Sequence, residues 1–192
     1  MLELTAQLTD SEDKALTIRV GETITSENEL DAFDCVAMSP RYDNGFGFSQ
    51  LYRFVDDKQS QEIKKFCNLV KDGGRTQLLP MLSSGRWWVI ITPIVKGNGK
   101  AEKIACESIM RDVFHISQAP RVKASKMLIS QYRYMFGYRE QQFNGVFEAI
   151  KKLQKTTFGD LSMIYFEIDA RYKDRFNEQV KHILLENGDG CK

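Results

Sequence analysis

Leu16, Ile18 and Val20 alternate with Thr17 and Arg19, which predicts a strand closed by Gly21. Asn28 to Met38 has a mixed pattern read as a short helix, and the turn formers of 40–47 lead into a second strand from Phe48 to Val55. Ile63, Phe66, Cys67 and Val70 then recur at the spacing of one helical face, with Gly73-Gly74 as the stop. Trp87 to Val95 is an apolar, β-branched run, the pattern of a buried strand lying centrally in a sheet, with Pro93 forcing an early exit or a bulge.

Three helical stripes are expected between 101 and 155. Cys106, Ile109, Met110 and Val113 mark the first, which Pro120 ends. Val122, Leu128, Ile129, Tyr132, Met135 and Phe136 make a second closed by Gly137, and Phe143, Val146, Phe147, Ile150 and Leu153 a third. Met163 to Ile168 alternates as a half-buried strand, and Tyr172, Phe176, Val180, Ile183 and Leu184 give a last helix that Asn187-Gly188 stops. The fold class predicted is α+β: a mixed or antiparallel sheet of several strands packed with about five helices, including a run of three consecutive helices in 101–155. A length of 192 residues favours one domain over 1–192, subdivided at most into 1–99, 100–156 and a strand-helix closure over 157–192.

Composition removes several classes. With 12 Phe, 7 Tyr and 2 Trp against 13 Gly and 4 Pro, a disordered or collagen-like chain is excluded. No apolar run approaches the roughly 18 residues that cross a bilayer. The N-terminal segment has an acid at Glu3 and no apolar leader, so a cytoplasmic setting with no membrane partner is expected. Cys35, Cys67, Cys106 and Cys191 have no CxxC spacing, and Cys67 and Cys106 sit on helix faces as small hydrophobes.

The net charge of +1 hides an asymmetry: 1–62 carry 5 basic and 13 acidic residues, whereas 96–155 carry 12 and 5. An acidic first third facing a basic middle predicts a directed surface field. The basic middle is interleaved with aromatics, in Arg121, Lys123, Lys126, Arg133 and Arg139 beside Tyr132, Tyr134, Phe136 and Tyr138. At helical spacing Lys123, Lys126 and Arg133 fall within about 80° of one another. Lys151, Lys152 and Lys155 stand opposite the third stripe. Tyr132 and Phe136 belong to the core stripe, which leaves Tyr134 and Tyr138 to stack on bases while the cations neutralise phosphates. The nucleic-acid contacts expected are therefore Arg121, Lys123, Lys126, Arg133, Tyr134, Tyr138, Lys151, Lys152 and Lys155. Solvated helix surface is the plainer explanation of the same charges.

Asn44-Gly45-Phe46-Gly47-Phe48-Ser49 resembles the aromatic strand motif of RNA-recognition-motif domains, over 16–82 at most. It departs from that motif in having Asn44 where a Lys or Arg leads, and a glycine-rich turn entering an aromatic strand explains the same letters. His115 and His182 form no metal-binding pair, and neither a Walker loop nor GxGxxG occurs, so no cofactor and no metal site are expected. Glu167 and Asp169 lie two apart at a strand end, where paired carboxylates can hold a divalent metal, although Asp169 also suits a helix cap. Adjacent Trp87 and Trp88 must point to opposite faces of their strand.

The leading reading is a non-enzymatic nucleic-acid-binding or accessory protein acting through a basic helical face. A protein-interaction or inhibitor protein with a charge-asymmetric surface is second, and a metal-dependent phosphodiester enzyme on Glu167 and Asp169 third.

Overall fold

The computed structural model describes residues 3–40, 54–71, 74–80 and 87–185. Seven strands form one mixed sheet in the order β1-β2-β7-β6-β3-β5-β4: β1 Glu3–Thr9, β2 Ala15–Gly21, β3 Cys35–Met38, β4 Gln77–Pro80, β5 Trp88–Ile91, β6 Lys126–Ile129 and β7 Met163–Glu167. The five central strands, β2 to β5 in that order, run parallel, and β1 and β4 close the edges antiparallel. The β1–β2 turn is fixed by Asp10, whose carboxylate accepts from the backbone N–H groups of Glu12, Lys14 and Phe158 at 2.7–2.9 Å.

Helices cover both faces, as a parallel sheet requires. On one face lie α3 Gly99–Ser117, α5 Glu140–Gln154 and α6 Lys173–Val180. Their Met110, Val113, Phe143, Phe147 and Phe176 pack on Ile18, Ala37, Ile129 and Phe166 of the strands. The other face is covered by α1 Glu27–Leu30 and α2 Asp57–Lys71, through Leu30, Ile63, Cys67 and Val70 on Val36, Val89, Leu128 and Tyr165. Strand residues alternate between the two clusters, and Trp87 and Trp88 divide between them as their adjacency requires.

A mixed sheet packed with helices is the predicted class. The strand at 15–21, the α2 and α3 helices, the α5 helix and the strand at 163–167 fall where periodicity put them. Asn28 to Met38 divides into α1 and β3 instead of forming one helix. The span 122–136 is also corrected: its first half is β6, and only Tyr132–Met135, one turn, is helical as α4. Met127 and Ile129 enter one core cluster and Leu128 the other, so burial on both faces made a continuous apolar run that counts equally well as a helical stripe. The last helix is compound, a 3-10 turn Ala170–Tyr172, then α6, then a π turn Lys181–Leu185. β5 stops at Ile91, two residues before Pro93. The Asn44 to Ser49 motif, most of the predicted strand from Phe48 to Val55, and Cys191 lie outside the described residues; the chain bends at Phe54 and Val55.

Candidate functional site

After β2 the chain turns to the face covered by α1, and after neighbouring β7 it turns to the opposite face, where α6 packs. Parallel strands that part in this way leave a crevice beyond their carboxyl ends, the usual ligand position of an open α/β sheet. The crevice is present here, with a volume of about 440 Å³. Glu22, Thr23 and Thr25 after β2 form one wall, Gln131, Arg133, Tyr134 and Tyr138 after β6 a second, and Glu167 to Ala170 at the end of β7 a third.

Close packing places these walls. The Tyr165 hydroxyl donates to the Glu22 carbonyl at 2.9 Å, and it lies 2.0 Å from where a Cβ on Gly21 would stand, so only glycine lets β2 end there. Gln131, with φ 50° and ψ 61°, bends the chain out of β6 in the left-handed region. Glu167 ties the walls together. It is 4% exposed and accepts from Ser130 Oγ at 3.0 Å and the Gln131 N–H at 3.3 Å, with further bonds from Ile24 N–H and the Thr23 hydroxyl. Burial pushes its carboxyl up to about 7 although those donors oppose the shift.

Asp169 caps the 3-10 turn as its sequence position predicts, accepting from the Arg171 N–H at 3.1 Å. The Arg171 guanidinium also grips it, at 3.0 and 2.7 Å, and the pairing holds its carboxyl down at about 2. Its own N–H donates to the Tyr138 hydroxyl at 3.1 Å. Tyr138 in turn stacks on Tyr172 with ring centres 4.1 Å apart, and burial pushes its phenol up to about 12. Glu167 and Asp169 thus share the crevice, yet each is bonded by protein groups on separate sides. Among the described residues no group of three His, Cys, Asp or Glu stands where a metal could be held.

The nine predicted nucleic-acid contacts do not form one face. Arg133, Tyr134 and Tyr138 follow β6 and line the crevice. Arg121, Lys123 and Lys126 precede or begin the same strand, at the other end of the sheet, where Arg121 lies 5.9 Å over the Trp88 ring. Lys151, Lys152 and Lys155 close the last turn of α5, and Lys152 is paired with Glu107. Tyr138 is 9% exposed, so its ring supports a wall rather than offering a stacking platform. The side chains that sequence reasoning missed are Glu22, Thr23, Thr25 and Gln131. Their signal, polar residues just beyond an apolar strand, acquires meaning only once β2, β7 and β6 are known to be parallel neighbours.

No family model matches the sequence, and no curated protein matches it. Solved structures do. The Oceanobacillus iheyensis macrodomain with ADP superposes with a TM-score of 0.68 at 11% identity, covering 97% of this chain and 99% of that one. A mutant form of that macrodomain with ADPR gives 0.63 at 13%, over 93% and 98%. The macro domain of ganglioside induced differentiation associated protein 2 gives 0.63 at 11%, over 88% and 84%. These likenesses, together with basic side chains divided between the two ends of the sheet, overturn the nucleic-acid-accessory reading and its basic patch. No helix of the described residues is long and apolar enough to cross a membrane. The chain has a macrodomain-like fold, with a crevice at the carboxyl ends of its central strands.

Proposed function

We propose that the chain binds an ADP-ribose-type nucleotide in the crevice between β2, β7 and β6. One observation carries this reading: the crevice occupies the carboxyl-end switch point of a fold whose solved members include forms with ADP and ADPR. Its volume lies within the usual range for small-ligand sites, about 300–1,000 Å³.

The lining sorts by chemistry. Arg133 is the cation among the lining residues, and a guanidinium meets phosphate oxygens through two parallel N–H bonds. Tyr134, half-buried beside it with its ring centre 6.0 Å from the Arg133 guanidinium carbon, supplies an aromatic face for a base. Glu22, Thr23 and Thr25 on the opposite wall suit an exocyclic amine or ribose hydroxyls, and the negative charge of Glu22 keeps phosphates at the Arg133 end. Glu167 acts in this reading as a positioning residue, since it is buried and its four donors tie the loops after β2 and β6 to the end of β7.

Titration calorimetry and thermal melts with ADP-ribose, against adenosine and inorganic phosphate, test it. A ligand at 100 times its Kd stabilises by about 2.7 kcal/mol, or roughly 5–10 °C for a chain of this size. Arg133→Ala should weaken ADP-ribose binding about 10- to 100-fold through lost charge-assisted bonds, and adenosine binding little. No melting shift with millimolar ADP-ribose, or wild-type ADP-ribose binding by both Arg133→Ala and Tyr134→Ala, refutes the proposal.

A further inference from the structure

A second cleft, of about 560 Å³, opens at the far end of the sheet from the nucleotide crevice. Its origin lies in two unequal helices. α3 and α5 touch backbone to side chain where Gly145 meets the Lys103 carbonyl and Cys106. From that crossing α5 has nine residues to run and α3 eleven counted from Cys106 or fourteen from Lys103. At 1.5 Å per residue α3 overshoots by roughly 3–7.5 Å, and the chain after α5 folds back beneath the uncovered end. The slot so left has a floor of Phe114, Phe158 and Leu161, each 4% exposed or less, with half-buried Leu153 in its wall.

Its mouth is polar and carries more positive than negative groups. Glu107 is the carboxylate that lines it, and that group is paired with Lys152. Arg111 and His115 line the mouth from the exposed side of α3's last turns, and one Arg111 nitrogen donates to Ser108 Oγ at 3.3 Å. Gln118 shapes the inner wall rather than the mouth, since it donates to the Ala124 carbonyl at 2.9 Å and accepts from Asp160 N–H at 2.7 Å. An apolar slot with a guanidinium and an imidazole at its rim complements a molecule with an apolar body and one anionic head. The nucleotide reading uses none of these residues, and the rim groups Arg111 and His115 are exposed outside the core.

We propose that this cleft is a second ligand site, for a small amphipathic anion such as an aryl or medium-chain alkyl carboxylate or sulfonate. The body lies over Phe114, Leu153 and Phe158, and the head pairs with Arg111, assisted by His115. The proposal stands independently of the nucleotide reading.

The probe is 8-anilinonaphthalene-1-sulfonate, followed by fluorescence on the full chain with near-ultraviolet circular dichroism confirming native packing. A single saturable site is expected, with probe displaced by decanoate but not by decyltrimethylammonium, which has the same tail and the opposite charge. ADP-ribose should leave the probe in place. Arg111→Glu, at an exposed position the fold does not need, should weaken probe binding at least tenfold, and Ala119→Trp, on the cleft lining, should abolish it by filling the slot. Absence of saturation by about 1 mM probe, equal displacement by both decyl compounds, displacement by ADP-ribose, or wild-type binding by either variant overturns the proposal.

Discussion

Glu167 gives a stability prediction with a definite sign. In the folded chain its carboxyl titrates at about 7, against an ordinary value of 4.5, because burial disfavours the charge. Below about pH 4.5 it is protonated in both states and imposes no penalty. Between 4.5 and 7 the unfolded chain releases the proton first, so rising pH draws the equilibrium toward unfolding, and above 7 the penalty is constant. At 1.36 kcal/mol per pKa unit the full loss is about 3 kcal/mol, of which roughly 2–3 kcal/mol falls between pH 5 and 8. Asp10, Glu29 and Asp169 are shifted down, so their stabilisation disappears only in acid, outside this window. Urea unfolding at pH 5, 6, 7 and 8, on the wild type and Glu167→Gln, isolates the effect. With a slope of about 2–3 kcal/mol per molar, the wild-type midpoint should fall by about 1 M across the series, and by clearly more than the variant's. Parallel pH profiles for the two proteins would refute the assignment of a buried, reluctantly ionised carboxylate at the crevice floor.

Gly145→Ala would place a Cβ 2.3 Å from the Lys103 carbonyl and 2.8 Å from Cys106 Cβ, so α3 and α5 must separate. A loss of about 1–3 kcal/mol in chemical unfolding is expected even though alanine is the better helix former. Tyr132→Phe should be neutral or stabilising by about 1 kcal/mol, because the Tyr132 hydroxyl is buried without a hydrogen-bond partner while its ring packs on Phe136, Tyr138, Phe143, Phe166 and Phe176. Phe147→Ala, in the same cluster and fully buried, should by contrast cost about 3–5 kcal/mol, so the pair separates ring packing from hydroxyl satisfaction in one denaturation series.

Amphipathic elements were legible in the chain because water contact imposes a period on them. Ile63, Cys67 and Val70 in α2, Phe143, Val146, Phe147 and Ile150 in α5, and Leu16, Ile18 and Val20 in β2 each show one buried face. Cys35 to Met38 and Met127 to Ile129 are buried on both faces, so no period remained to tell strand from helix. The same burial is what a central parallel strand requires, and parallel pairing joins segments that are distant in sequence, which local patterning does not encode. Arg133, Tyr134, Tyr138, Glu167 and Asp169 could each be singled out by residue type. Their meeting with Glu22, Thr23 and Thr25 in one crevice depends on β2 lying beside β7 with its crossover on the opposite face. The basic residues show the reverse case. Charge counting found them correctly, but one strand, β6, carries Lys126 at one end of the sheet and delivers Arg133 to the other, so tertiary structure turned a run of cations along the chain into two separate places in space.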